Sequence, residues 1–379
     1  MKMQLSIPRV SGVLSLATAL VVQSAAFADE GRFASFLPPS NPVIETVANP
    51  FIERVKKDSG GELTYKLFSG GALLTGKTTV QGLRAGVADI GQVVFNYNPS
   101  EFPHTILVGD MAMYGDLPPA VTAATTEYLL LHCNECIDEY KKQGIVVLGG
   151  AAATPFQLMG NEDVSTLDAL EGKKVRAPGG AYGRWVASVG AVPVSMPSSE
   201  MYEALSRGTV DLVVNPLGAM KSHSLWDVAK KVTLVDLGAF RPWGVVVVST
   251  LHWNELSDEQ HQILMKNASI SLIDTSFGYQ AKDDEVLAEA AANGLELIEP
   301  SEEVRQSIVD FKAADWATVI EQAQNKHGIS EPEAMMIKIV ELIEKWEDKF
   351  EPIKDDKPAM SDMLYREVLS KVDPRSLGM

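Results

Sequence analysis

The chain is 379 residues long, 46% hydrophobic, and carries a net charge of −17. That charge argues against nucleic acid as a partner, since gripping a polyphosphate takes a surplus of Lys and Arg, and the length allows more than one buried core. An anionic ligand must meet a local positive group, because screening confines repulsion by the acidic surface to about 8 Å at physiological salt.

At the N-terminus, Lys2 and Arg9 precede an apolar run from Val13 to Val22, followed by Ala26, Phe27 and Ala28. This pattern reads as a signal peptide over residues 1–28, cleaved after Ala28. As a membrane anchor the run is too short, about half of the roughly 20 apolar residues a bilayer span needs. Loss of the 28 residues leaves 351, and loss of Lys2 and Arg9 moves the charge from −17 to −19. A mature periplasmic protein of that size suits two lobes.

Short apolar runs then alternate with amphipathic stretches, the pattern of βα units. GRFASF is the first strand, and Val43, Val47, Phe51 and Val55 recur at spacings of four along a helix that Gly60 and Gly61 stop. LTYKLF, a helix from Thr78 to Ala85, and ADIGQVVF follow. Cys133 and Cys136, the only cysteines, lie in HCNEC; a local disulfide is expected in an oxidising compartment, with a His132-assisted metal site as the alternative.

The lobes are expected to part near Gly149 to Ala153. A second series then runs KKVRAP, a helix near Tyr182 to Val189, VPVSM, a helix from about Ser199 to Ser206 closed by Gly208, and TVDLVVNP. The continuously apolar GVVVVS reads as a central parallel strand buried on both faces. From Ser257 the pattern is helical, Asp258 and Glu259 suiting a helix start, with Val286, Leu287, Ala290 and Ala291 forming one apolar face up to Gly294. The expected fold class is α/β, two-lobed, with mostly parallel sheets, crossings between lobes and long C-terminal helices. One lobe takes residues 29–151 and about 241–279, the other 152–240 and about 280–347, and 348–379 form an extension.

Arg176 falls at the carboxyl end of a strand, where ligands of parallel sheets bind. Its planar fork suits a carboxylate, and a structural ion pair is the alternative. Asn215 ends the strand DLVVN before Pro216 and projects into the same space if the two strands are neighbours; capping the next turn is its alternative role.

KKVRAP followed by GAVPVSMPSSEMYEALSRGTVDLVVNP resembles the signature of the TRAP transporter solute-binding proteins of the dicarboxylate-binding (DctP) type, supported upstream by GGELTYKLFSGGALL and LRAGVADIG. The resemblance runs from about Arg32 to Gln324. It implies a ligand carboxylate clamped by Arg176 and Asn215, and delivery to TRAP-type membrane permease subunits. Phe156 stands where the sialic-acid branch of that family carries an arginine, Phe95 where it carries an acid, and Ser198 where many dicarboxylate-type members carry an aromatic.

Phe95, Phe156, Trp185 and Trp243 are candidates for an apolar wall, and Gln92, Asn96 or Tyr97 for one ligand hydrogen bond; of these Phe95, Phe156, Trp243, Asn96 and Ser198 join Arg176 and Asn215 in the expected site. The expected ligand is an organic acid, a monocarboxylate with an apolar or aromatic body, bound without cofactor or metal. His104, His132, His223 and His252 fall in no catalytic spacing, so the chain reads as a binding protein and not an enzyme. A binding protein of an ATP-driven transporter or a sensor shares this plan and is the alternative, as is, more remotely, a hydrolase. A homodimer through the C-terminal LYREVLSKV helix stands beside a monomer.

Overall fold

The computed structural model describes residues 30–378 together with Met1 and Gln4; the signal-peptide expectation lies outside the described residues. Among the described residues eleven strands form two sheets. They are β1 (Gly31–Ala34), β2 (Tyr65–Phe68), β3 (Ile90–Val94), β4 (Ile145–Val147), β5 (Phe156–Gly160), β6 (Lys174–Ala177), β7 (Val192–Ser195), β8 (Leu212–Pro216), β9 (Lys231–Thr233), β10 (Trp243–Ser249) and β11 (Glu296–Ile298). The first sheet is ordered β2-β1-β3-β10-β4 and the second β11-β9-β5-β8-β6-β7. The chain therefore passes between the sheets three times, after β4, β9 and β10.

Both sheets are mixed. β1 pairs in parallel with β2 and β3, as βα units dictate. Val43, Val47, Phe51 and Val55 of the intervening helix are all fully buried. β10, the GVVVVS strand, is central and buried on both faces, but it runs antiparallel to β3 and to β4. This corrects the parallel expectation: a continuous apolar run reports burial on two faces, and direction is set by where the chain enters, here by its return from the second sheet.

The helix Asp258–Glu289 has 32 residues, about 48 Å at 1.5 Å per residue. Ser257 and Gln260 form a capping box at its start, where Asp258 and Glu259 also sit. Its first half meets the first sheet's layer, with Ser271 accepting from Arg54, and its last turns meet the second, with Glu289 accepting from Lys221. Val286 is buried but Leu287 is 46% exposed. A one-residue step turns the side chain about 100°, so the expected four-residue face divides between core and solvent.

Helix Pro332–Phe350 packs on helix Pro118–Glu127, whose Glu127 accepts from Trp346 Nε1 at 2.6 Å and from Lys345. In the C-terminal extension Met360, Leu364, Val368 and Leu369 are buried, and Trp253 Nε1 donates to Pro374 O at 3.0 Å. The LYREVLSKV segment thus spends its apolar residues on its own chain. Cys133 and Cys136 form a disulfide, which uses both thiolates that a metal site with His132 would need. Among the described residues no helix is long and apolar enough to cross a membrane.

Candidate functional site

β6 and β8 lie side by side in parallel, Arg176 opposite Val213, so Arg176 and Asn215 emerge at neighbouring strand ends. Arg176 is 1% exposed. Its Nε and Nη2 donate to Met196 O at 3.0 and 2.9 Å, and its Nη1 donates to Val214 O at 3.1 Å. Two of the five guanidinium N–H bonds have no main-chain partner, and the Tyr97 phenol lies within reach of one of them. Among the described residues no carboxylate oxygen lies within 4.0 Å of it, so the ion-pair alternative does not hold. Burial pulls its pKa down, an effect opposed by the nearby Tyr97 phenol and by Glu200 acting from a distance.

A cavity of about 40 Å³ surrounds this cation between the two sheets. Phe36, Asn41, Tyr97 and Trp243 line it from the first sheet's side, and Phe156, Ser198, Asn215 and His223 from the second's. Phe156, Tyr182 and Phe240 form a three-ring cluster, with the Phe156 centroid 4.9 Å from Tyr182 and 5.6 Å from Phe240 and the latter two 6.3 Å apart. The Tyr97 hydroxyl accepts the Ser198 N–H at 3.0 Å across the cleft, and Asn215 Nδ2 contacts Met201 Sδ at 3.0 Å.

Five of the expected residues, Arg176, Asn215, Phe156, Trp243 and Ser198, line this cavity; Phe95 and Asn96 do not. After β3 the chain enters a tight turn, Phe95–Tyr97, in which successive side chains are rotated by about 120°. Phe95 is thereby driven into the core against Phe102 and Tyr140, with centroids at 5.0 and 5.6 Å. Asn96 faces a second, outer cleft, and Tyr97 reaches the cavity. Trp185 is also core, fully buried.

Asn41, His223 and Tyr279 were not singled out from the sequence as ligand-facing, since nothing in their spacing sets them apart. His223 lies beside Arg176, and burial first, then that guanidinium, push its pKa to about 4, so the imidazole is neutral at physiological pH.

The outer cleft is larger, about 760 Å³, and is lined by Asn96, Asp110, Gly180, Arg184, Ser195 and Lys326 among others. Its arginine is already committed. Arg184 donates to both Asp315 oxygens at 2.7 and 2.8 Å and to Asp110 at 2.8 Å. Arg241, also fully buried, donates Nη2 to Met111 O and lines neither space. Arg176 and Arg241 are both buried without a carboxylate partner among the described residues, but only Arg176 borders one of these two spaces, and the smaller cavity is the candidate site.

Residues 33–323 match the family model of the bacterial extracellular solute-binding proteins, family 7, also named DctP. The chain belongs to that family. It is the family of TRAP solute-binding proteins that the signature stretch resembles. An uncharacterised protein of Haemophilus influenzae is 24% identical over 344 residues, 83% of this chain and 97% of its own. A monocarboxylate 2-oxoacid-binding periplasmic protein of Nostoc sp. is 25% identical over 278 residues, 69% of this chain and 71% of its own. A marine metagenome TRAP solute binding protein specific for aromatic acid ligands, solved with 3-hydroxybenzoate, superposes with a TM-score of 0.75 at 22% identity, over 85% of this chain and 100% of its own. That likeness carries the fold of this family 7 member.

Proposed function

We propose that the protein is the periplasmic solute-binding component of a TRAP-type transporter, and that it captures an organic monocarboxylate with an apolar or aromatic body and delivers it to the membrane permease subunits. The observation that carries this reading is Arg176: a buried cation whose protein partners are all main-chain carbonyls and a phenol, with N–H bonds to spare. A buried charge is costly unless paired, and a ligand carboxylate pairs it. Phe36, Phe156, Phe240 and Trp243 around it supply apolar contact and no second cation, which favours one carboxylate over two. The aromatic acid and 2-oxoacid specificities of the relatives agree with that choice.

Ligand pockets measure about 300–1,000 Å³, against about 40 Å³ here, so entry of such an acid requires the two lobes to part and close again around it. A charge-assisted hydrogen bond contributes about 1.5–3 kcal/mol, whereas micromolar binding needs about 8 kcal/mol. Water exclusion on closure supplies much of the rest. A thermal-shift screen of organic acids tests the reading. A ligand at 100 times its dissociation constant stabilises by about 2.7 kcal/mol, and Arg176→Ala abolishes the shift for every carboxylate. An unaltered shift in that variant would overturn the proposal.

A further inference from the structure

We propose that the ligand carries a hydroxyl besides its carboxylate, and that Asn41, Trp243 and His223 read that hydroxyl from both sides of the cleft. This rests on Arg176 being the carboxylate anchor.

Three residues that line the Arg176 cavity have buried nitrogens with hydrogen-bonding capacity unfilled: Trp243 Nε1 and His223 Nε2, which have no partner, and Asn41 Nδ2, from which the Tyr279 hydroxyl takes at most one of two N–H bonds. Buried polar groups are satisfied in nearly all native structures, and three exceptions around one cavity point to a group from outside the chain. All three line one cavity. Ser40 Oγ donates to Ser222 O at 2.9 Å, tying the segment that carries Asn41 to the one that carries His223. Asn41 also adjoins the Tyr279 hydroxyl, and the Tyr279 ring packs on Trp243 with centroids 5.8 Å apart. His223 in turn lies beside Arg176.

The chemistry of the three nitrogens selects the group. Asn41 Oδ1 accepts the Val43 N–H at 3.0 Å, which fixes the amide orientation and leaves the NH2 as the free end. The indole of Trp243 only donates. We assign His223 the tautomer that donates from Nδ1 to Ser222 Oγ, 3.1 Å away, which leaves Nε2 of the neutral ring as an acceptor. Two donors and one acceptor match a hydroxyl, whose oxygen accepts twice and whose proton is donated once. A keto oxygen serves the two donors and offers His223 nothing. A methylene serves none.

The arrangement also spreads recognition over both lobes. Arg176 and Asn215 hold the carboxylate from the second sheet alone, whereas the hydroxyl is gripped by Asn41 and Trp243 from the first sheet's side and by His223 from the second's. An acid without the hydroxyl can be anchored but leaves the capacity of three buried nitrogens unfilled on closure. Sites built to hydrogen-bond a hydroxyl reject the analogue lacking it by up to about 10⁴–10⁵-fold.

The test is calorimetric titration of the mature chain with phenylacetate, phenylglyoxylate, mandelate and 3-hydroxyphenylacetate, and with hexanoate and 2-hydroxyhexanoate. The expected result is a hydroxylated member binding at least ~100-fold tighter than its unsubstituted parent and ~10-fold tighter than the keto acid. In Asn41→Leu and His223→Phe that preference falls to within ~3-fold, with circular dichroism and thermal unfolding confirming the fold. Parent acids that match every hydroxylated member in the wild type would overturn this inference and leave the Arg176 reading standing. Undiminished binding in Arg176→Ala, or no binding of any acid to the wild type, would overturn both.

Discussion

Arg184 Nη1 donates to Asp110 Oδ1 at 2.8 Å, joining the helix Gly180–Ser188 after β6 to the helix Pro103–Asp110 after β3. The same guanidinium grips Asp315 with two further bonds. One arginine therefore compensates two largely buried carboxylates, carried by the helices Pro103–Asp110 and Glu302–His327, and burial pushes the Asp110 pKa up in spite of it.

Removing that arginine strands both acids. Arg184→Ala is expected to lower stability by about 3–5 kcal/mol, the range for breaking a buried pair by deleting one partner. Urea unfolding measures it; a loss within 0.5 kcal/mol would place the triad among ordinary surface charges.

Arg176→Lys keeps the charge but loses the planar fork. The carboxylate then meets a point charge in place of two parallel N–H bonds, and affinity for every acid that binds is expected to fall about 10- to 150-fold, equivalent to about 1.5–3 kcal/mol. Titration calorimetry reads this directly, and an unchanged dissociation constant would remove the bidentate contact from the account.

Asp283 accepts from Thr154 Oγ1 at 2.6 Å and from the Gly218 N–H at 2.5 Å, yet burial outweighs these bonds and raises its pKa to about 6. The folded state therefore holds this proton more tightly than the unfolded chain, whose carboxyl has the ordinary pKa near 3.9. Stability from this group rises as pH falls from about 6 to about 4 and is flat above 6. Asp283→Asn is expected to remove that component from the pH profile of the urea midpoint between pH 4 and 7; parallel wild-type and variant profiles would contradict it.

The Cys133–Cys136 disulfide closes a very short loop. Chain entropy for so small a ring amounts to about 2 kcal/mol, so reduction, or a Cys133→Ser/Cys136→Ser double variant, is expected to cost about that much and leave ligand binding within about 2-fold. A variant that no longer folds would show that the bridge holds more than its own turn.

Much of this protein was legible in the sequence because it is written locally. The spacing of Val43, Val47, Phe51 and Val55, the strand ends carrying Arg176 and Asn215, and the signature around them depend on periods of two and 3.6 residues and on short-range turn chemistry, which survive without knowledge of the fold. The sequence could also say that Arg176 needs a partner, since any buried guanidinium does. Only the tertiary structure decided that no carboxylate of the described residues supplies one. It also decided that Tyr97 and not Asn96 lines the Arg176 cavity, and that Asn41, 182 residues before His223, lines it too. Those facts follow from how two sheets and one 32-residue helix bring distant segments together, and from a single tight turn whose 120° steps no hydrophobic pattern records.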